Sequence, residues 1–334
     1  MHPAFSSNPR HARVDYPVSW QAYALNWAMS LSIRPLLEVT AATVGSPQSH
    51  YVLALARQAY ALGGMYARSL PDYVQVEKVD FGAFDGEWLR AGHGLQDSKV
   101  MLYLHGGGYF FSSAEHHRPI TWRLSRAANR PVLAINYRMA PEHDFEHWRE
   151  DAITAYQHLL LRGYKPENIL IGGDSAGGHL TLVTLQTLRD RGIPLPRAAL
   201  CISPWTDLAN TAGSHASNRW RDPMFAATAV RALADLYVQG RDPYDPLVSP
   251  LYGSFEGLPP LMIMAGSTEV LRDDARRAAD KARAAGVPVI YEEWHRMPHV
   301  FPIFAFILPE GRRAYRHMSR FFQMVEKGAA APHH

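Results

Sequence analysis

Between Asn168 and His179 the chain reads Asn-Ile-Leu-Ile-Gly-Gly-Asp-Ser-Ala-Gly-Gly-His, a passage that demands a buried strand turning sharply into a helix. The apolar run Ile169 to Ile171 has the length and β-branching of a strand covered on both faces. Leu180, Val183, Thr184 and Leu188 then recur at helical spacing. Between them lies Gly173-Asp174-Ser175-Ala176-Gly177, so a single serine must carry the chain from one element to the next. A turn that tight strains the serine's backbone and leaves little room on either side, which Gly173 and Gly177 supply. A plain connecting turn needs no small residues flanking a hydroxyl. Ser175 is therefore a candidate nucleophile, presented at the carboxyl end of a central strand.

The rest of the chain can be arranged around that strand. From Lys99 onward strands and helices alternate, with strands expected at Val100 to Leu104, Val132 to Asn136, Ile169 to Gly172, Ala198 to Ile202, Leu261 to Ala265 and Val289 to Glu293. A helix over Arg149 to Leu161 follows Trp148 and puts Ala152, Tyr156, Leu159 and Leu160 on the same face. The alternation predicts an α/β fold, a mainly parallel sheet with helices on both faces. Ahead of it Val74, Val76, Val79 and Phe81 alternate with polar residues, and Trp88 and Leu89 follow the Asp85-Gly86 turn, predicting an antiparallel hairpin. At the far end, a helix over Arg312 to Lys327 places Tyr315, Met318, Phe322 and Val325 on one side.

Two stretches stand outside this rhythm. Val18 to Leu37 reads as one amphipathic helix, and Tyr51 to Ala61 as a second. Arg34 is the only charge among the polar positions of the first, so a lid packed over the protein fits better than a helix lying on anionic lipid. Between Trp205 and Pro260 no strand is evident, but a helix is expected near Ala226 to Val238. We read residues 1–70 and 206–255 as a helical cap over a core made of residues 71–205 and 256–334.

Composition narrows the classes of function. Hydrophobic residues make up 47% and charged residues 19%, which fits an ordered globular protein. The net charge of +3 is spread without a dense Lys/Arg block, so nucleic acid is not an expected partner. Cys201 is the sole cysteine and sits in an apparent central strand, which rules out an intrachain disulfide and suits a reducing compartment. No segment is apolar for long enough to cross a bilayer, and the N-terminal residues lack the order of a signal peptide. The expectation is a cytoplasmic protein without stable membrane insertion; the terminal His333 and His334 receive no role.

A serine hydroxyl needs a base to take its proton and an acid to orient that base. Both follow late strands. Gly-Ser-Thr-Glu-Val-Leu-Arg-Asp-Asp comes after Leu261 to Ala265, and His-Arg-Met-Pro-His-Val-Phe after Val289 to Trp294, where groups at strand carboxyl ends gather in an open parallel sheet. We take Glu269 as the acid and His299 as the base. Asp273 and Asp274 compete with Glu269, but they fall where the next helix begins and its dipole favours acids. His295 competes with His299, but it abuts the strand end with little reach. After Val100 to Leu104 comes His105-Gly106-Gly107-Gly108, whose exposed N–H groups can hold an oxyanion, with the Ala176 N–H as a further donor. A phosphate-cradling loop is disfavoured, since neither Gly-x-Gly-x-x-Gly nor a following Lys-Ser/Thr is present. His143 and His147 stand four apart, but no further ligand accompanies them, so no metal is expected.

His-Gly-Gly-Gly, Asn-Tyr-Arg-Met-Ala-Pro-Glu-His from residue 136 to 143, Gly-Asp-Ser-Ala-Gly-Gly, Ser-Pro-Trp-Thr-Asp and Met-Pro-His-Val-Phe together resemble the hormone-sensitive-lipase family of α/β-hydrolases, the bacterial family IV esterases. The resemblance runs from the hairpin to the C-terminus. It implies an α/β-hydrolase fold with a helical cap, and hydrolysis of small-molecule carboxylic esters through Ser175, Glu269 and His299 without a cofactor. By the same pattern Gly107, Gly108 and Ala176 are the oxyanion donors. The sequence departs from it in having Glu269-Val-Leu where Asp-Pro-Leu is usual, and no second proline after Pro141. Tyr109, Phe110, Trp205, Met224 and Phe225 are expected to wall the substrate pocket, and such bulk favours short or medium acyl chains. Lactone hydrolysis or acyl transfer would use the same chemistry, and a receptor on this scaffold would have lost the acid or the histidine. A homodimer, formed through the strand at Val289 to Glu293, is compatible with the resemblance.

Overall fold

The computed structural model describes residues 12–43, 54–55, 57–58, 70–238 and 240–328. In chain order its elements are β1 (Ala12–Val14), α1 (Trp20–Leu31), α2 (Ile33–Ala42), β2 (Val74–Asp80), β3 (Asp85–Ala91), β4 (Val100–Leu104), α3 (Arg118–Ala128), β5 (Val132–Asn136), α4 (Phe145–Leu161) and β6 (Ile169–Asp174). There follow α5 (Ala176–Asp190), β7 (Ala198–Ile202), α6 (Ser214–Ser217), α7 (Ala227–Val238), β8 (Leu261–Gly266), α8 (Arg272–Ala284), β9 (Val289–Trp294) and α9 (Pro309–Glu326).

The nine strands form one sheet in the order β1-β9-β8-β7-β6-β4-β5-β3-β2. The hairpin β2–β3 pairs antiparallel from Val74 opposite Ala91 to Asp80 opposite Asp85, and β3 pairs antiparallel with β5. All other pairs are parallel. Because successive side chains of a strand face opposite ways, the sheet feeds two cores. Leu102, Leu104 and Ile171 pack with α4, α5 and α8 on one face, while Met101, Tyr103 and Leu170 pack with α3, α9 and α1 on the other. The carboxyl ends of β4, β6, β7, β8 and β9 consequently open on one edge of the sheet, under the cap.

The expected strands are all present, and the described residues from Trp205 to Pro260 contain no strand. Other boundaries shift. The helix expected over Val18 to Leu37 is two helices meeting at Ser32. Pro35 has no N–H to give the Leu31 carbonyl and its ring crowds that turn, so it cannot lie inside a helix; the break places it in the first turn of α2, where amides have no intrahelical partner anyway. Helix α4 starts four residues earlier than expected, at Phe145, and α9 three residues earlier, at Pro309. Most of the helix expected over Tyr51 to Ala61 lies outside the described residues. No pattern in the sequence announces β1, which lies parallel along β9 with Ala12 opposite Glu292 and Val14 opposite Trp294. From Glu292 to Trp294, therefore, β9 is not the sheet edge, whereas β1 does not cover Val289 to Tyr291. Cys201 is fully buried in β7.

Helices α1 and α2 pack against residues distant from them in the chain. Ser19 caps α1, and its N–H and Oγ both donate to the buried carboxylate of Glu310 at the start of α9, at 2.7 and 2.9 Å. Ala41 of α2 packs with Ala226 and Ala229 of the insertion, small residues that let α2 and α7 come close. Arg34 of α2 donates to the Asp222 and Arg219 carbonyls, each at 2.9 Å.

Candidate active site

Ser175 forms the junction of β6 and α5 with φ 55° and ψ −119°, the strained left-handed geometry expected of it. Its N–H donates to the Ile202 carbonyl at 2.8 Å, and its own carbonyl accepts from His179 and Trp205. The flanking glycines are sterically required. A Cβ on Gly177 would lie 2.0 Å from the Leu104 carbonyl oxygen, and one on Gly173 would lie 2.4 Å from the Gly177 carbonyl oxygen.

The loop after β8 brings Glu269 and the loop after β9 brings His299, and His299 Nδ1 meets Glu269 Oε2 at 2.8 Å. The second oxygen, Oε1, accepts from the Ser203 hydroxyl at 2.7 Å and from the Gly266 N–H. Both residues are buried. Burial disfavours the imidazolium, but the hydrogen bond and charge of Glu269, with Asp222 and Asp174 adding, hold the His299 pKa above its ordinary value. Its Nε2 is buried and hydrogen-bonds no protein group among the described residues.

His299 and Ser175 both line a cavity of about 290 Å³ beneath α2 and the insertion. Ile33, Leu36 and Leu37 of α2 form one wall, Met224, Phe225, Val230 and Leu233 of the insertion another, and Trp205, Leu271, Ile303 and Phe304 much of the remainder. Gly107 and Gly108 also reach it, with φ of 116° and 61°, and their N–H groups donate to no protein group among the described residues. A Cβ on Gly107 would sit 2.2 Å from the Phe111 carbonyl oxygen, so this loop conformation excludes side chains. The loop rests on Asp174, which accepts from the Gly106 N–H at 3.1 Å and the Tyr103 hydroxyl at 2.6 Å and pairs with His117 Nε2 at 3.1 Å. Beneath it, burial and then the charge of His117 push His105 down to about 3, so its ring is neutral.

Of the five residues expected to wall the pocket, Trp205, Met224 and Phe225 do so. Tyr109 and Phe110 do not: both are fully buried in the core. Tyr109 has φ 67°, which turns its ring beneath the loop, where its hydroxyl donates to the Ala176 carbonyl at 2.8 Å and its ring stacks on Trp148. The rival acids lie elsewhere. Asp273 pairs with Arg272 and Arg276, and Asp274 accepts from the Thr206 and Asp207 N–H groups. His295 faces Arg13. The rings of His143 and His147 lie 5.0 Å apart, and among the described residues no group of three metal-ligating side chains occurs. Asn218, Asp222 and His117, which brace the site, carry no motif; Ser203, whose φ is 48°, opens the Ser-Pro-Trp-Thr-Asp motif directly after a strand, but the motif did not mark it as a partner of Glu269.

A sequence profile described as the α/β hydrolase fold matches residues 101–303. An acetyl-hydrolase of Streptomyces hygroscopicus is 46% identical over 236 residues, 71% of this chain and 78% of that protein. The esterase LipU of Mycobacterium tuberculosis is 37% identical, covering 67% of this chain and 77% of its own length. Among solved structures, the esterase EstE5 is 36% identical with a TM-score of 0.83, over 92% of this chain and 99% of its own. A crystal structure of an esterase from the bacterial hormone-sensitive-lipase family is 40% identical with a TM-score of 0.78, over 86% of this chain and 97% of its own. The chain belongs to the hormone-sensitive-lipase family of esterases. It is a carboxylesterase with the α/β-hydrolase fold. In this esterase no described helix is long and apolar enough to cross a membrane.

Proposed function

We propose that this esterase hydrolyses carboxylic esters of short to medium acyl chain through a triad of Ser175, His299 and Glu269. The observation that carries the reading is the His299 ring, tied through Nδ1 to Glu269 at 2.8 Å while it lines the same cavity as Ser175. With Nδ1 donating to the carboxylate, Nε2 is left as the base. It takes the Ser175 proton as Oγ bonds to the ester carbonyl carbon, and the carbonyl oxygen gains the negative charge. The N–H groups of Gly107, Gly108 and Ala176 receive that charge. As the tetrahedral species collapses, the alcohol leaves with the proton from His299, and water repeats the sequence on the acyl-serine. A largely apolar cavity of about 290 Å³ lies at the small end of ligand sites and supports short or medium acyl groups. The buried, unpaired Cys201 supports a reducing, cytoplasmic setting.

Hydrolysis of p-nitrophenyl acetate, butyrate, octanoate and palmitate tests this reading. The wild type should turn over the shorter esters and discriminate against palmitate, and Ser175→Ala should lose turnover of all of them. An active Ser175→Ala variant would overturn the nucleophile assignment, and a palmitate optimum the chain-length reading.

A further inference from the structure

The cap insertion reaches into the chemistry. Glu269 stands in the short loop between β8 and α8, and three buried side chains of the insertion, Ser214, Asn218 and Asp222, hold that loop by its backbone. Asn218 spends both amide protons on it, donating from Nδ2 to the Ser267 carbonyl at 3.0 Å and to the Glu269 carbonyl at 2.8 Å. Asp222 Oδ2 accepts from the Val270 N–H at 2.8 Å. Ser214 Oγ donates to the Val270 carbonyl at 2.5 Å and accepts from the Asp273 N–H at 3.1 Å. The loop is therefore gripped at the residues before, at and after the carboxylate.

We propose that Asn218 and Asp222 are positioning residues for Glu269, so that the cap takes part in the chemical step as well as in substrate choice. The proposal rests on Glu269 being the triad acid. A residue that only closed a turn of the cap would bond within the cap. Asp222 does so with one oxygen, accepting from Met224 and Phe225 at 2.8 and 3.0 Å, but gives the other to Val270, 48 residues away. The same carboxylate thus joins the acid loop to two residues of the cavity wall. Phe225 closes the circuit, its ring edge-on to His299 with centroids 5.0 Å apart at 78°. Arg34 ties α2 to the Asp222 and Arg219 carbonyls, so both halves of the cap bear on one turn.

Freed of these bonds, the acid loop can shift against His299, and a misplacement on the order of 1 Å is worth roughly a hundredfold in rate. The test is kcat and KM on p-nitrophenyl acetate and octanoate for wild type, Asn218→Ala, Asp222→Asn, Glu269→Ala and the two double variants with Glu269→Ala. Asn218→Leu, close in shape to Asn, replaces Asn218→Ala if the latter does not fold. Expected is a kcat loss of about 10- to 100-fold in Asn218→Ala and Asp222→Asn, equal on both esters, with KM changed by no more than roughly twofold. In the Glu269→Ala background the same substitutions should cost nothing further, because the group they position is gone. Unchanged kcat in both single variants, a loss confined to octanoate, or a full additional loss in the Glu269→Ala background would each overturn the proposal. Glu269→Ala with wild-type kcat would instead overturn the triad reading on which it stands.

Discussion

In the proposed mechanism His299 must be neutral to accept the Ser175 proton, and its neighbours work against that. Glu269, Asp222 and Asp174 hold its pKa above the ordinary imidazole value despite burial. Because the raised group is protonated below its pKa, activity is lost as pH falls through it, and the acidic limb of kcat/KM should lie above about 6.5. Glu269→Gln removes the charge that raises it, so in a pH–rate series the limb should move to lower pH. Turnover at pH 8 should also fall by roughly a thousand- to ten-thousand-fold, because an amide no longer fixes the tautomer with Nδ1–H outward. A limb that stays in place would mean that Glu269 does not govern His299. Ser203 is the residue that frees Glu269 Oε2 for this task, by donating to Oε1 while accepting from the Val300 N–H at 3.1 Å. Ser203→Ala leaves a buried carboxylate short of one donor. It should cost about 1.5–3 kcal/mol of stability in urea unfolding, the usual worth of a hydrogen bond to a charged group.

The elements that present these residues tolerate little change where backbones meet. Gly177 lies in the first turn of α5 against the Leu104 and His105 carbonyls, and neither can withdraw, since both belong to the strand and loop that carry Gly107 and Gly108. Gly177→Ala should therefore destabilise by at least the upper part of the roughly 1–3 kcal/mol range for overpacking, read as a lower thermal midpoint together with lost activity. This junction was legible in the sequence because strand, turn and helix each leave a local pattern: β-branched apolar residues, paired glycines, a spacing of three and four. The placement of Glu269 and His299 in loops after β8 and β9 was legible from the order of the late strands. Elsewhere the local pattern misled. Tyr109 adjoins the glycine loop, but a third consecutive positive φ after Gly107 and Gly108 reverses its side chain, and a dihedral leaves no mark on residue spacing. β1 spans three residues, too few for an alternation to register, and takes its partner from the far end of the chain. Asn218 and Asp222 act through backbone atoms of a loop about 50 residues later, and nothing in their own neighbourhood announces it.

At the level of the whole molecule, the cap is one body only through contacts between its halves. Arg34 supplies two of these, with its guanidinium largely covered and also paired to Glu38. Arg34→Met keeps the aliphatic stem and removes both donors. It should raise KM for octanoate, which needs the α2 wall, while leaving acetate turnover close to wild type; equal changes on both esters would contradict a cap held by this contact. The anchoring of α1 has a different implication, for the order in which the molecule is made. Ser19 waits for Glu310, 291 residues later, and β1 waits for β9. A chain emerging from the ribosome N-terminus first can complete the central strands β4 to β8 before either anchor for its leading segment has been synthesised. Helix α1 is thus among the last of the described helices to dock, whereas α2 can meet the insertion as soon as α7 has been made.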